Sequence, residues 1–260
     1  KGILAEDFID LLRQSRETLE IVASTPCAAL GSVRKKPTED ERKKVFDIFK
    51  KNNIRYFFYI GGNDSAETAH LLAEQAQIEN YELRAFHVPK TIDNDLLITD
   101  HCPGFGSAAR FVALACMGDD LDNRSLPGIK INVVMGRKAG FLTAATALAR
   151  QRDDDGPHLI YCPETVFDEA QFMSDVEQTY KKLGRCIVAA SEGIHRADCA
   201  EIGATGEKDS HGNVQLSGTG ALGDYLSGLI KKHLGSTLRV RSDTFGYLQR
   251  SFPANASEVD

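Results

Sequence analysis

Residues 88–116 read VPKTIDNDLLITDHCPGFGSAARFVALAC and gather a lysine, a hydroxyl and two carboxylates within six positions, Lys90, Thr91, Asp93 and Asp95. In an extended continuation of a strand, residues 91, 93 and 95 project to one side. Two carboxylates on one side repel unless one binds a metal ion or holds a proton. One can then act as general base towards a hydroxyl while the other supports an ion. Lys90 can set positive charge against a phosphoryl group. The competing reading is a turn closed by Asx side chains, with no chemistry at all.

Two further loops favour the chemical reading. IGGNDSAET (60–68) turns from an apolar run into a helical pattern through Gly61 and Gly62, so Gly62, Ser65 and the backbone amides around them can face an anion at a helix start. Asp64 adds a negative charge where a site for phosphate alone would avoid one. A cation bridging carboxylate and phosphate resolves that conflict, since Mg²⁺ uses one or two carboxylates plus phosphate oxygens. The third loop, MGRKAG (135–140), offers Arg137 and Lys138 beside two glycines, again where a strand pattern gives way to a helix. Mg²⁺, lysine, arginine, amides and an aspartate base occur together in phosphoryl transfer.

These loops need elements to carry them. Strands are predicted at 25–30, 55–60, 83–88, 129–135, 158–162, 186–191 and 237–241. Helices are predicted over 5–22, over 38–52 from a capping box opened by Thr38, and over 64–78, 104–118, 139–150, 168–183 and 220–234. Short strands apolar on both faces and separated by helices imply parallel sheets covered on both sides. The expected fold class is α/β of the open, doubly wound kind. Sites are expected at strand carboxyl ends. The polar run DDLDNRSLPG (119–128) is the one hint of a domain boundary.

Composition narrows the class. The chain has 260 residues, 42% of them hydrophobic, and a net charge of −6, which argues against a nucleic-acid partner. No run of about 18 apolar residues is present and no membrane association is expected. Six scattered cysteines without a C-x-x-C pair read as reduced thiols of a cytoplasmic protein. The pattern Gly104-x-Gly106-x-x-Ala109 follows a polar loop instead of a strand, so a dinucleotide site is disfavoured. No H-E-x-x-H or G-x-S-x-G occurs.

GGNDS, PKTIDNDL, MGRKAG, CPE (162–164) and GYLQR (246–250) occur in the order and rough spacing found in the phosphofructokinases, and LGSVR (30–34) resembles that family's arginine-bearing donor loop. The resemblance runs over nearly the whole chain and leads to the pyrophosphate-dependent 6-phosphofructokinases. It implies two doubly wound, mainly parallel αβα domains, 1–125 and 126–260, with the active site in the cleft between them and the chain returning towards the first domain after about residue 246. It also implies reversible, Mg²⁺-dependent phosphoryl transfer from pyrophosphate to the 1-hydroxyl of fructose 6-phosphate, in glycolysis or gluconeogenesis. An ATP-dependent 6-phosphofructokinase and a non-catalytic regulatory subunit of the same fold are the alternatives.

The same resemblance assigns the residues. Asp93 is the base, Thr91, Arg137 and Lys90 steady the moving group, and Asp95 assists around Mg²⁺. Gly62, Asp64, Ser65, Arg34 and Lys90 hold the donor. Met135, Gly136, Glu164, Tyr247 and Arg250 bind the sugar phosphate, with Arg241 offered to a neighbouring subunit of a homodimer or higher homo-oligomer. Asn63 stands where the family usually has an aspartate, so Asp64 or Asp95 takes over at the metal. Gly128 stands near where some relatives carry a phosphate-binding arginine. The family's first strand with its Gly-rich loop, and its last helices, are expected outside these 260 residues. ATP-using relatives have glycine at the positions of Asp64 and Lys90, so the carboxylate here should repel a nucleotide's α-phosphate while the lysine grips a compact pyrophosphate.

Overall fold

A computed structural model of the protein describes residues 2–25, 27–33, 35–203 and 220–253. Among these run α1 (Arg16–Ala23), α2 (Glu39–Lys51), β1 (Tyr56–Gly61), α3 (Asn63–Ile78), β2 (Arg84–Pro89), α4 (Phe105–Ser125), β3 (Ile129–Val134), α5 (Phe141–Ala145), β4 (Leu159–Tyr161), α6 (Glu169–Leu183), β5 (Cys186–Ser191), α7 (Ala221–Leu234) and β6 (Val240–Thr244). The order is that of an α/β protein, and every pairing between these strands is parallel.

The chain divides into two compact units. The first holds residues up to Thr91 together with Leu96–Pro103, and the second holds Ile92–Asp95 and the chain from Gly104 onwards. The sequence reading set the boundary at 125/126, after α4, whereas this division gives α4 to the second unit. The reason is visible in the polar run 119–128. α4 continues through it to Ser125, because Asp120 and Asn123 turn inwards and are buried. Asp120 accepts from the guanidinium of Arg185 at 2.5 Å and from Gly156 N–H at 2.8 Å, so its charge is both paired and hydrogen-bonded.

In the first unit, α2 opens on the predicted capping box, Thr38 with Glu41. Val45, Phe46 and Phe49 of α2 meet Leu72 and Ala76 of α3, with Phe57 of β1 packed against them. β1 and β2 pair from Tyr56↔Arg84 to Gly61↔Pro89, so both strands end at one level. Two expectations fail here. Residues 25 and 27–30 are exposed and form no strand, since the apolar side chains of that stretch find no core to enter. The helix predicted over 5–22 is broken into single turns at Ile3–Ala5 and Leu11–Arg13, and α1 then starts afresh where the Ser15 hydroxyl caps Thr18 N–H.

The second unit is built on a sheet ordered β4-β5-β3-β6. β5 is buried at every position and β3 at all but Lys130. Their apolar faces join Phe172 and Val176 of α6 and Leu226 and Ile230 of α7 in one core. Each fully buried Ile, Leu or Phe there contributes roughly 1.5–3 kcal/mol. The last strand lies three residues later than predicted, at 240–244 instead of 237–241, because Leu238 N–H closes a turn on Gly235 O and Val240 is the side chain that enters the core.

His158, beside β4, joins two layers of this unit. Its Nδ1 accepts Ile187 N–H at 2.8 Å, and its Nε2 faces Asp154 O at 3.3 Å, a set that suits the neutral ring protonated on Nε2. Burial, then the nearby Arg185 charge, holds its pKa below the ordinary 6.5. The unfolded chain therefore binds the proton more readily, and stability falls as pH drops below 6.5 towards the folded value. Between about pH 7 and 5, Tm is expected to fall more steeply for the wild type than for His158→Asn, whose oxygen can still accept from Ile187. Equal slopes would show that this ring does not titrate in that window.

Candidate active site

Within the first unit, the shared end of β1 and β2 brings two loops together. His87 Nε2 lies 2.8 Å from Gly61 O, Lys90 N–H donates to the same oxygen at 2.9 Å, and Lys90 and Thr91 leave the sheet beside Gly62. Gly61 is closely covered: a Cβ there would lie 2.1 Å from Ser65 Oγ. Gly62 caps α3, which puts Asn63, Asp64 and Ser65 in its first turn, where the helix dipole favours negative charge. Asp64 is half-exposed, and its Oδ1 lies 3.1 Å from Lys36 Nζ, which also reaches Glu67 at 2.7 Å. Glu67, then Asp64, raise the Lys36 pKa and hold the amine charged. Lys36 was given no role by sequence reasoning. Arg34, assigned to the donor, lies outside the described residues.

The loop 90–95 passes from the first unit to the second between Thr91 and Ile92. The extended alternation of residues 91, 93 and 95 is not what forms. The chain turns at Ile92 and Asp93, and Asn94 takes a left-handed conformation with φ 56°, which asparagine tolerates better than most residues. The half-buried Ile92 packs into the cluster of Ala108, Val112, Val134 and Leu142, alongside Met135 and Phe245. That anchor holds the adjoining Asp93 near the carboxyl end of β3. Asp95 is half-buried a turn further on.

The other loops of the second unit follow from strand register. Val134 pairs with Ser191, Val133 with Thr244, and Tyr161 with Ala190. Met135-Gly136-Arg137, Glu192-Gly193, Cys162-Pro163-Glu164 and Phe245–Arg250 therefore leave the sheet at one edge. β3 sends its chain outwards to β4, whereas β6 is reached from β5 across β3, and such a break in strand order marks the ligand position of an open α/β sheet.

Close backbone approach shapes this edge. Gly136 has φ 134°, and a Cβ there would lie 2.3 Å from Ala139 O. Gly136 O accepts from the Ser191 hydroxyl at 2.5 Å. Glu164 Oε1 accepts Gly140 N–H at 2.6 Å, which aims its carboxylate at the loop carrying Arg137. The Arg137 Nε–H is buried and meets no acceptor among the described residues. Arg250 stacks 4.0 Å over the Tyr247 ring on the exposed face of the turn Gly246–Arg250.

Arg241 stands apart from these residues. It pairs with Lys130 near the start of β3, about 17 Å along the strand from Met135, and shares a small polar hollow with Asp119, Asp122, Lys130 and Arg239. Among the described residues, no three of His, Cys, Asp and Glu converge as a metal-binding group. Mg²⁺ draws most of its ligands from water and phosphate oxygens, so the single carboxylates of Asp64 and Asp95 and the Asn63 amide remain suitable donors. No described helix is long and apolar enough to cross a membrane. All six cysteines are free, and burial pushes the Cys116 and Cys186 thiols up to about 12.

The sequence pattern of the phosphofructokinase family matches residues 1–259. Over its full length the chain is 55% identical to the pyrophosphate--fructose 6-phosphate 1-phosphotransferase of Rhodospirillum rubrum, covering 65% of that protein. It is 40% identical, again over its full length, to the protein of the same name from Halomonas elongata, covering 63% of it. The crystal structure of the pyrophosphate-dependent phosphofructokinase from Marinobacter aquaeolei matches with a TM-score of 0.84 at 33% identity, over 99% of this chain and 60% of that one. The chain thus spans somewhat less than two thirds of the length of these relatives.

Gly193 follows the end of β5, and a Cβ there would sit 1.8 Å from the carbonyl oxygen of Arg137. Because the neighbour is backbone, the clash cannot be relieved by a rotamer. Gly193→Ala is expected to cost about 1–3 kcal/mol of stability, as overpacking does, measured by urea unfolding. A variant as stable as the wild type would show that the Arg137 loop yields freely.

Proposed function

The chain belongs to the phosphofructokinase family, and from that membership we propose that it transfers a phosphoryl group reversibly from pyrophosphate to the 1-hydroxyl of fructose 6-phosphate. The observation that carries this reading is the 55% identity, across the whole chain, to a relative named for that reaction. The loop geometry supports it. The first unit supplies the donor residues Gly62, Asp64, Ser65 and Lys90, and the second supplies the acceptor residues Met135, Gly136, Arg137, Glu164, Tyr247 and Arg250.

In the forward step Asp93 takes the proton of the 1-hydroxyl, and the freed oxygen attacks the terminal phosphorus. The bond to the bridging oxygen breaks, and orthophosphate leaves with that electron pair. Thr91, Lys90 and Arg137 stabilise the equatorial oxygens, and the open Arg137 Nε–H suits a phosphoryl oxygen. Glu164 accepts from sugar hydroxyls, and Arg250, held by Tyr247, grips the 6-phosphate as a planar fork. Mg²⁺, when bound through Asp64, Asp95 and Asn63, neutralises phosphate charge. The free thiols suit the reducing cytoplasm, the compartment of glycolysis and gluconeogenesis.

Arg241 pairs with Lys130 near the start of β3, away from the loop edge that carries Met135, and it is exposed on β6. We assign it to the sugar site of a neighbouring copy in a homodimer or larger homo-oligomer. Light scattering of the full-length protein is expected to show no monomer at assay concentration, and a fully active monomer would sink this assignment.

Donor choice tests the reaction directly. kcat/KM of the full-length protein is measured with pyrophosphate and with ATP, for the wild type, Asp93→Ser and Asp64→Gly. The wild type should prefer pyrophosphate, and Asp93→Ser should lose about 10²-fold or more in turnover, the scale of acid–base catalysis. Asp64→Gly should gain ATP use by roughly 10²-fold, the effect of removing a repulsive element. A wild type that prefers ATP would hand the reading to the ATP-dependent alternative. One that binds sugar phosphate without turnover would favour a regulatory subunit.

A further inference from the structure

Gln249 is the one strongly polar side chain of GYLQR that turns inwards: it is 2% exposed, while Tyr247 and Arg250 on the same turn face solvent. Its amide is used at both ends. Oε1 accepts Met135 N–H at 3.2 Å, and Nε2 donates to Gly246 O at 3.0 Å.

Strand geometry explains why an amide is needed. Phe245 N–H donates to Val133 O at 3.1 Å, continuing the β3–β6 ladder one step past Thr244. In a parallel ladder the carbonyl of the same residue would next accept Met135 N–H. Phe245 instead adopts helical dihedrals (φ −66°, ψ −27°), so the backbone swings into the turn Gly246–Arg250 and its carbonyl leaves the sheet. The Gln249 oxygen takes over the missing acceptor. A single side chain therefore fixes the spacing between the loop Met135-Gly136-Arg137 and the turn carrying Tyr247 and Arg250, both of which serve the acceptor in the proposed reaction.

Resting on the proposed reaction, we infer that Gln249 is a positioning residue of the acceptor site. It acts on sugar-phosphate binding through Met135 and Gly246, without touching the donor.

The test uses the full-length protein and steady-state kinetics with both substrates. Gln249→Met keeps the volume and removes both hydrogen bonds. It is expected to raise the KM for fructose 6-phosphate by ~10-fold, the scale of one buried N–H left unpaired, with the KM for pyrophosphate unchanged. Gln249→Glu keeps the acceptor for Met135 but, when ionised, cannot donate to Gly246. Its sugar-phosphate KM, taken relative to the wild type at each pH, should fall back towards the wild-type value as lower pH protonates the new carboxyl. This second variant carries the test if Gln249→Met fails to fold. Unchanged KM values in both variants, or equal rises for both substrates, would overturn the inference and leave Gln249 a fold residue. A wild type with no pyrophosphate turnover would overturn the reaction and this inference together.

Discussion

The parallel pairing of β3 with both β5 and β6 is the constraint on which the second unit rests. Ile129↔Cys186 and Ile129↔Val240 start the two ladders level, and equal rise along each strand then brings Val134, Ser191 and Thr244 to one edge. No functional side chain points there by its own preference. Met135, Glu192 and Phe245 are simply the next residues of three strands in step. The register is in turn held by burial, since a slip of one residue would exchange the faces of β3 and carry Ile131 and Val133 out of the α6–α7 core.

Strands in step bring their loops close, and glycine is what lets them be close. The Arg137 carbonyl fits against Gly193, the Ala139 carbonyl against Gly136, and Glu164 and Cys162 against Gly140. Each contact replaces a Cβ by a neighbouring backbone or carboxylate group. Ser191 and Gln249 then close the remaining polar groups, the first on Gly136 O and the second on Met135 N–H. The loop edge is a network in which each loop's position is set by the next.

Much of this was legible in the sequence because it depends on short-range patterns. The capping box of α2, the apolar runs of β3 and β5 and the Gly-rich strand ends each announce themselves within ten residues. Failures came where long-range partners decide. Residues 119–125 read as part of a boundary because nothing local shows that Asp120 will meet Arg185 and Gly156 across the fold. The stretch 25–30 reads as a strand from composition alone, though residues 25 and 27–30 are exposed and pair with no described strand. Gln249 sat in a quoted motif without a role because its partner, Met135, lies 114 residues away. Lys36 was missed for the same reason, since its reach to Asp64 appears only when α3 packs on the chain ahead of α2.

Lys36 also alters the charge that Asp64 presents to a donor. Read from sequence, Asp64 is a bare negative charge set against a nucleotide's α-phosphate. In the structure that charge is shared with an ammonium 3.1 Å away and with the amino end of α3. The pair is half-exposed, and such ion pairs are strongly screened, so long-range repulsion of an approaching donor is weakened. Close contact is different. A carboxylate already engaged by Lys36 cannot swing aside without breaking that pair, and so it occupies its place as volume as well as charge. On the proposed reading, exclusion of a longer donor therefore rests on a tethered obstruction more than on the field of one aspartate. Lys90 adds attraction for a compact donor from the adjoining strand end, where Gly61 O fixes its backbone. On that reading the two residues act at different ranges, the lysine by charge and the tethered aspartate by occupied space.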